Sequence, residues 1–191
     1  MVRLIGLKKI KTAVFISGNG SNLKNLIEFS FLKKSPISVD FVVSNNSKAK
    51  GLNFSKKFGI KKKIYNYKIK NPENEILKNL KENKIELICL AGFMKILSKN
   101  FIRNFNGKIL NVHPSLLPKY KGLNTHNKSI ENKDKYSGCT IHYVNEKLDS
   151  GRIIIQKKVK ILKGDTPKTL AKKILKEEHI LYRKALIKLF V

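Results

Sequence analysis

Five short apolar runs, separated by stretches of helical periodicity, set the strongest limit on what this chain can fold into. The runs lie at residues 12–17, 39–43, 64–67, 87–90 and 109–110. Between them, apolar residues recur at helical spacing: Leu23, Leu26, Ile27 and Leu32, then residues 49–58 closed by Gly59. Ile76, Leu77 and Leu80 follow behind Pro72 and Glu73, and Phe101, Ile102 and Phe105 form the next set. Short apolar strands alternating with amphipathic helices predict a parallel sheet buried on both faces. After His126 the rhythm changes. A helix is expected near residues 126–132, then two strands, 138–144 and 153–159, joined by a short loop that carries Asp149. Strands so closely joined pair antiparallel. Residues 166–190 read as one long helix, capped by Asp165 or Thr166 with Pro167 in its first turn. The expectation is an α/β fold: doubly wound, Rossmann-like, mostly parallel, with helices on both faces and an antiparallel edge extension. No linker, repeat or low-complexity segment interrupts the 191 residues, which read as one domain.

Chemistry gathers where the fifth run ends. Asn111 and His113 are two residues apart, so on a strand their side chains share a face. Pro114 follows at once and stops the strand. An amide beside an imidazole at the carboxyl end of a strand stands where open α/β sheets hold ligands. The amide can donate to a developing oxyanion, the imidazole can carry a proton near neutral pH, and a carboxylate at Asp149 would favour the charged ring. Asp149 alone reads equally as a turn residue. No serine or cysteine is placed as a nucleophile, which favours direct attack of one substrate on another. At the other end of the chain, the first strand runs into Gly18-Asn19-Gly20-Ser21-Asn22 and a helix. Glycines that turn sharply before a helix N-terminus leave N–H groups aimed at an anion, with Ser21 or Asn22 as helix cap. A plain tight turn is the competing reading.

The formal charge of +28 raises nucleic acid as a partner. Only four of the 41 basic residues are arginine (Arg3, Arg103, Arg152 and Arg183), and the lysines are spread through every segment. Bidentate phosphate and base recognition favours arginine, so the pattern reads as lysine-rich composition and no specific nucleic-acid partner is expected. No run approaches the roughly 20 apolar residues of a membrane span. Lys8, Lys9 and Lys11 break the apolar N-terminus, so a cytoplasmic protein is expected. Cys89 and Cys139 offer neither metal spacing nor a disulfide framework.

Four segments carry a resemblance that runs nearly the length of the chain: SGNGSNL at residues 17–23, LAGFMKILS at 90–98, NVHPSLLPKYKGLNTH at 111–126 and GCTIHYVNEKLDSG at 138–151. Together they resemble the phosphoribosylglycinamide formyltransferase family. The resemblance implies a single formyltransferase domain over residues 1–191. It further implies transfer of the formyl group of 10-formyltetrahydrofolate, a cosubstrate, to the amine of 5-phosphoribosylglycinamide in purine biosynthesis, without a metal. It places catalysis on Asn111, His113 and Asp149, with His113 held charged by Asp149. Asn19, Gly20, Ser21 and Asn22 would grip the substrate phosphate and Glu178 the ribose hydroxyls; on helical pattern alone Glu178 reads as an exposed residue. Met94, Lys95, Ile96 and Leu97, with Asn111 and the 145–151 loop, would form the folate pocket. The expected assembly is a monomer or homodimer. Departures from the family pattern are Lys95 for arginine, Asn124 for histidine, Arg152 for proline and no arginine in residues 68–73 to meet the folate tail. The chain also stops without the short tail of some relatives. Formyl-folate enzymes acting on initiator methionyl-tRNA, or hydrolysing the folate, share this core but are expected to need an added domain. A catalytically silent basic binding protein on the same fold would have no need of all three polar residues.

Overall fold

A computed structural model describes residues 8–67 and 72–191. Its strands are β1 (Ile10–Ile16), β2 (Ile37–Ser44), β3 (Lys61–Ile64), β4 (Leu87–Leu90), β5 (Lys108–His113), β6 (Tyr136–Tyr143) and β7 (Ile153–Lys160). They form one sheet in the order β3-β2-β1-β4-β5-β6-β7. The first five pair in parallel, and β6 and β7 add antiparallel strands beyond β5. Helices α1 (Ser21–Ser30), α2 (Leu52–Lys57), α3 (Glu73–Glu82), α4 (Lys99–Asn104), α5 (Thr125–Glu131) and α6 (Pro167–Phe190) connect and follow the strands. The predicted class and the antiparallel extension both match.

The core is split by the sheet, as strand alternation requires. Val14 and Ile16 of β1 face Leu23, Leu26 and Ile27 of α1 and Leu170, Ile174 and Tyr182 of α6. Ala13 and Phe15, one residue out of phase, face Ile76 and Leu80 of α3 and Phe101 of α4. The Tyr182 hydroxyl is fully buried and lies 3.2 Å from the Leu90 carbonyl and 3.3 Å from that of Leu110. That contact fixes α6 across β4 and β5, and Glu178 sits one turn before it on the same helix face.

Two elements differ from expectation. The third strand covers Lys61–Ile64, not residues 64–67. Three consecutive lysines look wrong for a strand, but β3 is the sheet edge, where charged side chains reach water while the backbone pairs with β2. Helix α2 is six residues long, shorter than the 49–58 pattern. In α6, Thr166 is the N-cap, closed by a reciprocal capping box with Thr169. Among the described residues no helix is long and apolar enough to cross a membrane.

Candidate active site

Strand order reverses between β1 and β4, and the loops leaving their carboxyl ends flank the crevice where such sheets hold ligands. β5 lies beside β4, with Asn111 paired to Leu90, and β6 runs back along β5 with His142 opposite Asn111 and Thr140 opposite His113. Asn111 and His113 therefore emerge side by side at the sheet's upper edge, as their two-residue spacing predicts. His113 is 5% exposed.

Asp149 joins them from the loop between β6 and β7. Its φ of 44° is left-handed, an unusual conformation for a residue with a side chain. One carboxylate oxygen, Oδ2, accepts the Gly122 N–H at 2.8 Å and lies 3.3 Å from His113 Nδ1. The other, Oδ1, is 3.4 Å from Asn111 Nδ2 and 3.6 Å from His142 Nε2. Behind it, Gly151 packs so closely on Tyr143 that a Cβ there would overlap the Tyr143 carbonyl oxygen. The loop after β5 and the loop between β6 and β7 thus meet in space.

His142 is the member that sequence reasoning missed. Its side chain is 2% exposed. Nδ1–H donates to the Tyr143 carbonyl at 2.8 Å, so Nε2, 3.2 Å from the Asn111 amide and 3.6 Å from Asp149 Oδ1, accepts from the amide in the neutral ring and donates to the carboxylate in the charged one. Both amide hydrogens of Asn111 then face protein acceptors, His142 Nε2 and Asp149 Oδ1, and its carbonyl oxygen is turned away from them. The signal was present in the register: a histidine on an alternating strand that runs back beside Asn111.

Electrostatics correct one expectation. Burial holds the His113 pKa below the ordinary histidine value; the Tyr120 carbonyl and Asp149 pull it upward but do not win, and His142 adds to the fall. Asp149 thus opposes the effect of burial on this ring without overcoming it. Its Nε2–H donates to the Tyr120 carbonyl at 2.8 Å, leaving the Nδ1 lone pair toward Asp149. Protonation would give both ring nitrogens a proper acceptor, so the ring is built to receive a proton. Burial alone would raise the Asp149 carboxyl, yet His142, the Gly122 amide and His113 together bring it below the ordinary carboxylate range.

At the first glycine loop, Gly20 is the N-cap of α1 with φ 73°, and neither Ser21 nor Asn22 caps the helix by its side chain. The expected cap is therefore absent, and the first turn has no acidic residue and no side-chain cap for its N–H groups. Gly20 also touches the loop after β2: a Cβ on it would come 2.5 Å from Gly51 Cα. Asn19 is exposed. Asn22 is buried and donates from Nδ2 to Glu178 Oε2 at 2.7 Å, while its Oδ1 has no partner. Glu178, read from helical pattern alone as exposed, is 7% exposed. Burial raises its pKa, against the Asn22 hydrogen bond.

The loop after β4 lies against this one. Met94 N–H donates to Ser17 Oγ at 2.7 Å, and Ser17 N–H donates to the Gly92 carbonyl at 3.1 Å. Met94 and Ile96 are exposed, as are Leu123 and Leu148 on neighbouring loops. Leu97 differs: its side chain is buried with Phe101 in the core, where it anchors the loop and presents no surface. Lys95 Nζ stands 5.8 Å from the Tyr67 ring centre. Asn124 has φ 61°, a left-handed conformation that asparagine tolerates better than the histidine it replaces. Arg152 stacks 5.0 Å over the Tyr143 ring. Residues 68–71, most of the stretch with no arginine for the folate tail, lie outside the described residues.

Comparison with known proteins gives the same picture over nearly the whole chain. The formyl transferase family model matches residues 10–186. The trifunctional purine biosynthetic protein adenosine-3 of Homo sapiens is 42% identical over 183 residues, 94% of this chain but 18% of that protein. The chain thus spans under a fifth of that relative's length. Phosphoribosylglycinamide formyltransferase of Haemophilus influenzae is 38% identical over 179 residues, covering 90% of this chain and 83% of that one. The crystal structure of phosphoribosylglycinamide formyltransferase from Brucella melitensis superposes with a TM-score of 0.91 at 40% identity, over 96% of this chain and 97% of the other.

Proposed function

The chain belongs to the formyl transferase family, among the phosphoribosylglycinamide formyltransferases, and from that premise we propose that it transfers the formyl group of 10-formyltetrahydrofolate to the amine of 5-phosphoribosylglycinamide. The observation that carries the reading is the cluster of Asn111, His113, His142 and Asp149 at the carboxyl end of β5, where β6 turns back along it. The phosphate of the ribonucleotide sits over Asn19, Gly20, Ser21 and Asn22, where backbone N–H groups and the helix dipole favour an anion. Glu178 holds the ribose hydroxyls, its carboxylate already turned to that loop by Asn22. The folate lies along Met94, Lys95 and Ile96, with exposed apolar side chains against its ring and Asn111 at its reacting end.

The substrate amine attacks the formyl carbon, a C–N bond forms, and the carbonyl electrons move to oxygen. Asn111 exchanges its long 3.4 Å contact with Asp149 for the new oxyanion. The proton shed by the amine comes to rest on His113 Nδ1, where Asp149 stabilises the imidazolium. Collapse of the intermediate breaks the bond to the folate nitrogen, which takes the proton that the amine had passed to His113. The formyl group leaves one nitrogen and arrives on another, so no electrons are gained or lost.

The test follows deformylation of 10-formyltetrahydrofolate by absorbance, with and without phosphoribosylglycinamide, for wild type and His113→Ala. Turnover that requires the ribonucleotide and collapses in the variant supports the transfer. Turnover without it makes the protein a hydrolase, and no turnover in either case overturns the reading.

A further inference from the structure

Tyr120 holds a strained position. Its φ is 57°, in the left-handed region that crowds a residue with a Cβ. Its carbonyl is the acceptor for His113 Nε2, and Ser115 Oγ sits 2.6 Å from the Lys119 carbonyl and 3.4 Å from that of Tyr120. What holds the residue there lies at the far end of its side chain. Asp134, in the turn between α5 and β6, accepts the Tyr120 hydroxyl on Oδ2 at 2.9 Å and the Lys119 ammonium on Oδ1 at 2.6 Å. The same ammonium lies 4.9 Å over the Tyr120 ring. The Asp134 side chain is 13% exposed and the Lys119 side chain 56%, so the bond from the Tyr120 hydroxyl is the one better shielded from water.

We propose that Asp134 is a positioning residue for His113. By gripping the Tyr120 hydroxyl and Lys119 it keeps the Tyr120 backbone left-handed and its carbonyl on His113 Nε2. That choice decides the tautomer: with the proton held on Nε2, Nδ1 is the vacant seat beside Asp149. Among the described residues the charged and titratable groups that interact with His113 are Asp149, His142 and His126; Asp149 lies at Nδ1, while Nε2 is held by the Tyr120 carbonyl. The inference rests on the formyl-transfer reading for its kinetic part only.

The experiment compares wild type with Asp134→Ala, Asp134→Asn and Tyr120→Phe. It measures kcat and KM for both substrates, the pH profile of kcat, thermal stability, and the imidazole nitrogen NMR shifts of His113. Release of the carbonyl removes an influence that raises the His113 pKa, so the acid limb of Asp134→Ala moves to lower pH. Its kcat falls about tenfold with both KM values within about twofold, since losing one or two orienting hydrogen bonds is worth roughly 1.4 kcal/mol. The His113 spectrum changes from one tautomer to a mixture. Asp134→Asn keeps an acceptor for the Tyr120 hydroxyl and recovers most of the rate. Tyr120→Phe, which removes only the hydroxyl, repeats the effect in weaker form and serves if Asp134→Ala does not fold. A wild-type tautomer and acid limb in the folded variants overturn the proposal, as does a rate loss that only follows thermal stability. Failure of the wild type to transfer formyl would overturn the function reading instead, and the His113 spectrum would still decide the role of Asp134.

Discussion

At the residue scale, the site is governed by which atoms hold hydrogens. His113 has its Nε2–H committed to the Tyr120 carbonyl, and on the proposed mechanism activity depends on the vacancy at Nδ1. The rate should therefore fall as pH drops through the His113 pKa, which burial places below the ordinary 6.5. A kcat profile flat from about pH 5 to 9 would contradict this assignment. His113→Ala should lose roughly 10²–10⁴-fold in kcat with the fold intact, by absorbance assay and circular dichroism. His142→Ala should cost less. It removes the acceptor that fixes the Asn111 amide, worth about 1 kcal/mol or roughly fivefold in kcat. Asn111 and His113 were legible because a strand puts alternate residues on one face. Asp149 could be offered as a partner but its approach could not be read from the chain, and His142 was missed, because both depend on the register in which β6 turns back along β5. Glu178 was read from the chain only by resemblance, because helical spacing cannot show that the Asn22 amide covers its face of α6.

At the scale of elements, the glycine loop and the long helix make separable predictions. Gly20 combines a left-handed backbone with contact to Gly51, so Gly20→Ala should destabilise the fold by about 1–2 kcal/mol through conformation alone. It should also raise KM for the ribonucleotide more than KM for the folate, since the loop is assigned to the phosphate. Equal changes in both would reject that assignment. Thr166→Ala removes the cap of α6 and should lower stability by about 1 kcal/mol in urea unfolding. The order of strands and helices followed from hydrophobic period alone. Where that reading failed, at β3, pairing with β2 at the sheet edge outweighed the apparent polarity of three lysines.

For the whole molecule, charge and buried histidine set how stability responds to solution. His113, His126 and His179 are all held below the ordinary histidine value, in each case chiefly by burial. The unfolded chain then binds more protons than the folded one, so stability present above about pH 6.5 is lost as pH falls below it. A Tm that does not decline between about pH 6.5 and 5 would contradict this. The charge of +28 repels itself, and screening should raise Tm with added salt, about 2–4 °C for each kcal/mol relieved.

The division of the site across the sheet has one more consequence. Asn22, Asn111 and His113 come from the part of the chain before the turn that follows α5, while His142, Asp149 and Glu178 come from the part after it. Neither stretch holds a complete pocket for either substrate. A chain opened in that turn is expected to give two fragments, each silent alone, with activity returning only when the halves meet.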